Sequence, residues 1–161
     1  MSTICYKDGI IAGDTMMSFN SELCNGVKKV GRLDDYLFGF VGHLAIMHRM
    51  YAWIDLIPDD VAPQDFYLHL EDMPDMGELS GTVMLVGKDR RIWSIGSDGS
   101  SLRLTGEYEA IGSGSTYALG ALHAGKSAEE SVKTAMHYDA YTGGNVETFT
   151  FSDGLHNPGL Y

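Results

Sequence analysis

Ser2-Thr3-Ile4-Cys5-Tyr6-Lys7-Asp8-Gly9-Ile10-Ile11-Ala12-Gly13-Asp14 reads as two short strands, Thr3 to Tyr6 and Ile10 to Asp14, folded about a Lys-Asp-Gly turn. The first strand thus begins with a small hydroxyl residue directly behind the initiator Met1. If Met1 is removed, Ser2 holds a free α-amine beside its own hydroxyl. An amine of this kind, with a reference pKa of about 7.7 to 8.0, can accept the hydroxyl proton near neutral pH. One residue then contains both nucleophile and base, which makes Ser2 a candidate reaction centre. Taken alone, Met-Ser is also a common start with no chemical meaning.

Working outward, Leu23 to Leu33 and Tyr36 to Val41 flank Asp34-Asp35 and read as a second hairpin. After Gly42 the apolar spacing becomes helical, with Leu44, Met47, Tyr51 and Ile54 on one stripe that stops before Pro58. Gln64 to Asp72 predicts a short second helix. Thr82 to Val86, Arg91 to Ile95 and Ser101 to Leu104 predict a meander, followed by a strand over Glu107 to Ile111. Ser115 to Ala124 and Ser127 to Tyr141 predict two helices broken at Gly125, the second opened by a Ser127/Glu130 capping box and stopped by Gly143-Gly144. Asn145 to Phe151 closes as a strand. The order predicts an α+β fold, two antiparallel sheets covered by helices, as one domain over residues 1–161 without internal repeat or linker.

A chain of 161 residues is long enough to bury a substantial core, and its 44% hydrophobic and 20% charged content is that of a soluble globular protein. It has no apolar run of the length a membrane span needs, and Lys7 and Asp8 interrupt the opening segment before a signal-peptide core could form. A cytoplasmic protein is therefore expected. The net charge of −11, with only eleven lysines and arginines, argues against nucleic-acid binding. The acidic residues concentrate between Asp55 and Glu78. Cys5 and Cys24 cannot make a disulfide framework, and the six histidines lack metal-ligand spacing, so neither a metal nor another cofactor is expected.

The start of the chain keeps company with three further motifs: Lys28-Lys29-Val30, Gly112-Ser113-Gly114-Ser115, and Asp139-Ala140-Tyr141-Thr142-Gly143-Gly144. Together with the opening hairpin they make the chain resemble the proteasome β subunits and the bacterial peptidase HslV, a family of N-terminal-nucleophile hydrolases. The resemblance spans nearly the whole chain. It implies a four-layer αββα sandwich in which the first strand's N-terminus opens into a cleft between the sheets.

Asp139 draws attention without the resemblance. With Val132, Ala135, Met136 and Ala140 it completes a helical stripe, which puts a carboxylate on an apolar face and in a last turn where the helix dipole disfavours it. Such a residue is either paired or functional. The resemblance turns Asp139 and Thr142 into supports of the terminal amine, and Ser113, otherwise a plain helix-cap serine, into a proton relay beside it. On strand geometry one of Lys28 and Lys29 should point inward. The family's Lys-Lys-Val makes that Lys29, held charged by Asp14, which local sequence alone would make a turn aspartate. Gly42, on local grounds a strand-to-helix junction, matches the glycine whose amide donates to the developing oxyanion. Phe40 and Leu44 would then flank a pocket for an apolar side chain before the scissile bond.

The chain departs from the family pattern at several points. Serine replaces the usual threonine at position 2, which removes a methyl that restricts the hydroxyl's rotamer. Met16 stands where many catalytic subunits have arginine, His43 replaces a glycine beside the oxyanion turn, and the central helical region is short. The resemblance implies peptide or unfolded-protein substrates, a homo-oligomeric ring and an ATP-dependent unfoldase as partner. Two other functions fit the same residues: a non-catalytic ring scaffold or binding subunit, and an amidase acting on small molecules.

Overall fold

A computed structural model describes residues 2–19 and 22–154. The opening hairpin forms as its turn chemistry dictates. Asp8 and Gly9 both take positive φ, 51° and 80°, as a two-residue type I′ turn requires, and its twist matches that of the strands it joins. Lys7 then faces Ile10 across β1 (Thr3–Lys7) and β2 (Ile10–Asp14).

The chain continues through a small hairpin of β3 (Met17–Phe19) and β4 (Glu22–Cys24) into β5 (Val30–Leu33) and β6 (Tyr36–Gly42). Helix α1 (Leu44–Leu56) and a 3-10 segment over Pro63–Asp72 follow. Next come β7 (Gly81–Gly87), β8 (Ile92–Gly96), β9 (Ser101–Leu104) and β10 (Tyr108–Gly112). Helices α2 (Ser115–His123) and α3 (Ala128–Tyr138) lead to β11 (Val146–Phe149). Besides the two-stranded β3-β4 hairpin, two larger sheets result, ordered β10-β1-β2-β11 and β5-β6-β7-β8-β9, with every pairing antiparallel.

Strand alternation explains the layering. Ile4, Tyr6 and Ile11 of the first sheet meet Leu37, Met84, Val86 and Ile92 of the second, so the sheets pack face to face. The outer face of the first sheet carries the small side chains of Cys5, Ala12 and Ala110, against which Ala118 and Leu122 of α2 and Val132 and Ala135 of α3 settle closely. Phe38, Phe40, Val83, Leu85 and Trp93 form the outer face of the second sheet and pack on Ile46, Met47, Met50 and Trp53 of α1. The protein is a four-layer αββα sandwich. Among the described residues, no helix is long and apolar enough to cross a membrane.

Three sequence expectations are corrected. The strand over Leu23 to Leu33 is two strands that serve different sheets, because Asn25-Gly26, with Gly26 at φ 92°, breaks it and leaves residues 25–29 irregular. The short helix over Gln64 to Asp72 is 3-10 in type and kinked at His69. Helix α3 stops at Tyr138 rather than Tyr141: Asp139 is its C-cap in extended conformation, and Ala140 is exposed.

Candidate active site

Ser2 is buried at the head of β1, and its carbonyl accepts a 2.9 Å hydrogen bond from the Ser113 amide. That approach depends on Gly112, whose φ is 104° and where a Cβ would collide with the Ser2 carbonyl oxygen. Asp14, at the end of β2, is fully buried. Its Oδ1 accepts from the Thr3 amide at 2.9 Å, and its Oδ2 accepts from Lys29 Nζ and the Gly143 amide, each at 3.1 Å. Lys29 arrives from the irregular segment before β5 and also donates to the Met16 carbonyl. Burial pushes the Lys29 pKa down, against the opposing charge and hydrogen bond of Asp14.

The second cluster lies where α2 begins and α3 ends. Asp139 Oδ2 accepts from the Ser113 hydroxyl at 2.6 Å and the Thr142 hydroxyl at 2.5 Å, and Oδ1 accepts from the Tyr141 amide at 3.2 Å. These donors offset the helix dipole that disfavours a carboxylate here. Burial raises the Asp139 pKa, but the Ser113 and Thr142 hydroxyls and the Tyr141 amide outweigh it and hold the group below the usual carboxylate range. Because the Thr142 proton is committed to Asp139, the 2.7 Å contact between the Thr142 and Thr3 hydroxyls has Thr3 as donor. Thr3 was not singled out by motif. Its signal is alternation, since it shares with Cys5 the helix-facing side of β1, where Thr142 arrives.

Gly42 ends β6 with φ 133°, and a Cβ there would meet the Ser80 carbonyl oxygen and Gly81 Cα at 2.6 Å each. His43 follows as the N-cap of α1 without a side-chain capping bond. Ser2, Lys29 and Gly42 line one narrow cleft of about 290 Å³, open mouth included, whose other walls are Met16, Met17, Val27, Phe40, Leu44 and Met47. Phe40 and Leu44 are there as expected. Met17, Val27 and Met47 were not foreseen, because the hairpin of β3 and β4 that carries the first is invisible in the apolar pattern. Where many catalytic subunits have arginine, Met16 places an uncharged thioether beside Gly143, while its main-chain carbonyl accepts from Lys29. The seven sequence candidates thus fall into two adjoining groups joined at Ser2 and Thr3. Met1, whose removal the sequence reading requires, lies outside the described residues.

An αββα sandwich with a hydroxyl residue heading an inner strand at the mouth of a cleft is the architecture of the N-terminal-nucleophile hydrolases. No family model matches the chain. It is 31% identical over 161 aligned positions, 89% of this chain and 87% of the relative, to the ATP-dependent protease subunit HslV of Roseobacter denitrificans. A shorter match, 36% identical over 85 positions, covers 44% of this chain and 30% of a probable proteasome subunit beta type-5 of Schizosaccharomyces pombe. Among solved structures, Thiobacillus denitrificans BPH in complex with epoxomicin shares the fold at a TM-score of 0.69 and 23% identity, over 94% of this chain and 99% of that one. The chain belongs to the HslV and proteasome β-subunit family of N-terminal-nucleophile peptidases.

Proposed function

We propose that removal of Met1 exposes Ser2, and that Ser2 Oγ then attacks peptide carbonyls with the Ser2 α-amine as its base. The observation that carries this reading is the buried Lys29–Asp14 pair, whose lysine lines the same cleft as Ser2. Burying two charges costs several kcal/mol per ion before their attraction returns any of it. A cation kept at that cost beside a hydroxyl favours the hydroxyl's ionisation and keeps a nearby amine neutral.

In the proposed sequence the Ser2 hydroxyl proton passes to the amine as the Oγ–carbon bond forms. The Gly42 amide donates to the oxyanion, a contribution of about 2.7 to 4 kcal/mol for such donors. The ammonium then protonates the leaving nitrogen as the peptide C–N bond breaks, and an ester on Ser2 remains. Water, deprotonated by the same amine, hydrolyses it. Ser113, Asp139 and Thr142 act as positioning residues: the hydroxyl protons of Ser113 and Thr142 are committed to Asp139, which leaves the Ser113 lone pairs to accept from the ammonium. Asp14 orients Lys29. The apolar walls formed by Met17, Val27, Phe40 and Met47 favour an apolar side chain before the scissile bond.

The protein operates in the cytoplasm as one subunit of a homo-oligomeric ring, on peptides or on proteins unfolded by an ATP-driven partner. The name of the Roseobacter relative, an ATP-dependent protease subunit, supports an ATP-driven partner and a place as one subunit of an assembly. The test is intact mass after incubation with a peptide epoxyketone, which bonds to both the hydroxyl and the free amine of an N-terminal nucleophile. Loss of Met1 with one adduct on Ser2, absent from Lys29→Ala, is expected. Retained Met1 with no adduct would instead leave a scaffold.

A further inference from the structure

Three exposed tyrosines lie close in the chain to Ser113 and Asp139. Tyr117, Tyr138 and Tyr141 are 45%, 63% and 53% exposed. Tyr117 and Tyr138 stack at 5.3 Å between centroids with 25° between their planes, and His137 meets Tyr138 edge-on at 4.8 Å. Single exposed aromatics are ordinary, but a stacked pair with a third ring close by in the chain is an apolar patch of the sort that binding sites use.

Their place in the chain is specific. Tyr138 directly precedes Asp139, the Tyr141 amide donates to Asp139 Oδ1, and Tyr117 lies one turn beyond Ser113 on α2. The patch therefore adjoins the hydroxyl–carboxylate pair that supports the Ser2 amine. None of these residues lines the apolar cleft that Ser2 shares with Lys29 and Gly42.

The direction of the reaction gives that placement a meaning. The amine that takes the Ser2 proton must return it to the leaving nitrogen, so the departing half of the substrate passes on the amine's side of Ser2. The acyl half occupies the apolar cleft. We propose that Tyr117, Tyr138 and Tyr141 form a platform for the side chain immediately after the scissile bond, selecting aromatic and large apolar residues there. Tyrosine rings supply broad contact area with little conformational freedom to lose, as hot-spot residues do. This specificity rests on the peptidase reading above.

The test uses the assembled protein and two internally quenched peptides that share one acyl half and differ in having Phe or Gly after the scissile bond. The wild type is expected to favour the Phe peptide about tenfold in kcat/KM, about 1.4 kcal/mol. In Tyr117→Ala/Tyr138→Ala that ratio falls towards one, and in Tyr117→Phe/Tyr138→Phe it is retained. Tyr138→Gln alone reads the same ratio should the alanine pair fail to fold. A wild-type ratio near one, or a ratio unchanged by the alanine substitutions, overturns the platform while peptide cleavage itself persists. Wild-type protein that cleaves neither peptide and forms no epoxyketone adduct overturns the peptidase reading, and the platform with it.

Discussion

Replacing Lys29 by methionine removes the ammonium paired with Asp14, and the structure sets the size of the effect. Asp14 is 0% exposed and Lys29 5%, and deleting one member of a buried ion pair costs about 3 to 5 kcal/mol. Asp14 keeps two backbone donors, the Thr3 and Gly143 amides, which puts Lys29→Met near the lower end, about 3 kcal/mol. Asp14→Asn leaves the ammonium with the Met16 carbonyl and should cost about the same. For a domain of this size each loss lowers Tm by about 6 to 12 °C. If the two groups act as a pair, the double variant loses about 3 kcal/mol rather than about 6, a coupling of about 3 kcal/mol. Urea unfolding followed by the fluorescence of Trp53 on α1 and Trp93 on β8, both in the core between that helix and the second sheet, measures it. Protein concentration must be fixed, because assembly stabilises by mass action. Losses that add to within about 0.5 kcal/mol, the range for independent sites, would refute the pairing.

Other predictions are more compact. Ser2→Ala should abolish the epoxyketone adduct while leaving the unfolding midpoint within about 0.5 kcal/mol in free energy, as the change removes a single hydroxyl; an adduct on the alanine variant would place the nucleophile elsewhere. Gly42→Ala forces a side chain into left-handed backbone against Ser80 and Gly81, costing about 1 to 3 kcal/mol with slower adduct formation, read by thermal melting and by mass. Asp139 has a folded pKa below its unfolded one, so its ionisation stabilises the fold fully above about pH 4 and the benefit disappears as pH falls through the folded value. The stability gap between wild type and Asp139→Asn should therefore narrow on acidification, and urea midpoints from pH 7 to pH 2 would detect a gap that stays constant.

The hairpin of β1 and β2 and the helix α1 were legible because local chemistry decides them. Asp8-Gly9 can adopt the positive φ values a tight turn needs, and the stripe of Leu44, Met47, Tyr51 and Ile54 matches one side of a real helix that ends before Pro58. That helix buries Ile46, Met50 and Trp53 as well, so its apolar face is wider than the stripe. The break at Asn25-Gly26 and the hairpin of β3 and β4 were missed because neither three-residue strand carries an alternating pattern of its own. Alternation could not choose between Lys28 and Lys29 either, since their segment is not a strand at all; the motif made that choice. Asp139 was visible as a misplaced carboxylate, but its partners Ser113 and Thr142 reach it only through the packing of α2 against α3, which no local pattern encodes.

The hydrogen bonds from Gly143 to Asp14 and between Thr3 and Thr142 tie the first strands to a segment made far later in synthesis. While the chain is being made, Ser2 exists long before Asp139, Thr142 and Gly143 do, and domains assemble from the N-terminal side first. A partly made chain would hold its serine without the Asp139 carboxylate, the Thr142 hydroxyl or the Gly143 amide that donates to Asp14. On the proposed mechanism, the chemistry at Ser2 would therefore wait until α3 has docked and brought Asp139 to Ser113 and Thr142.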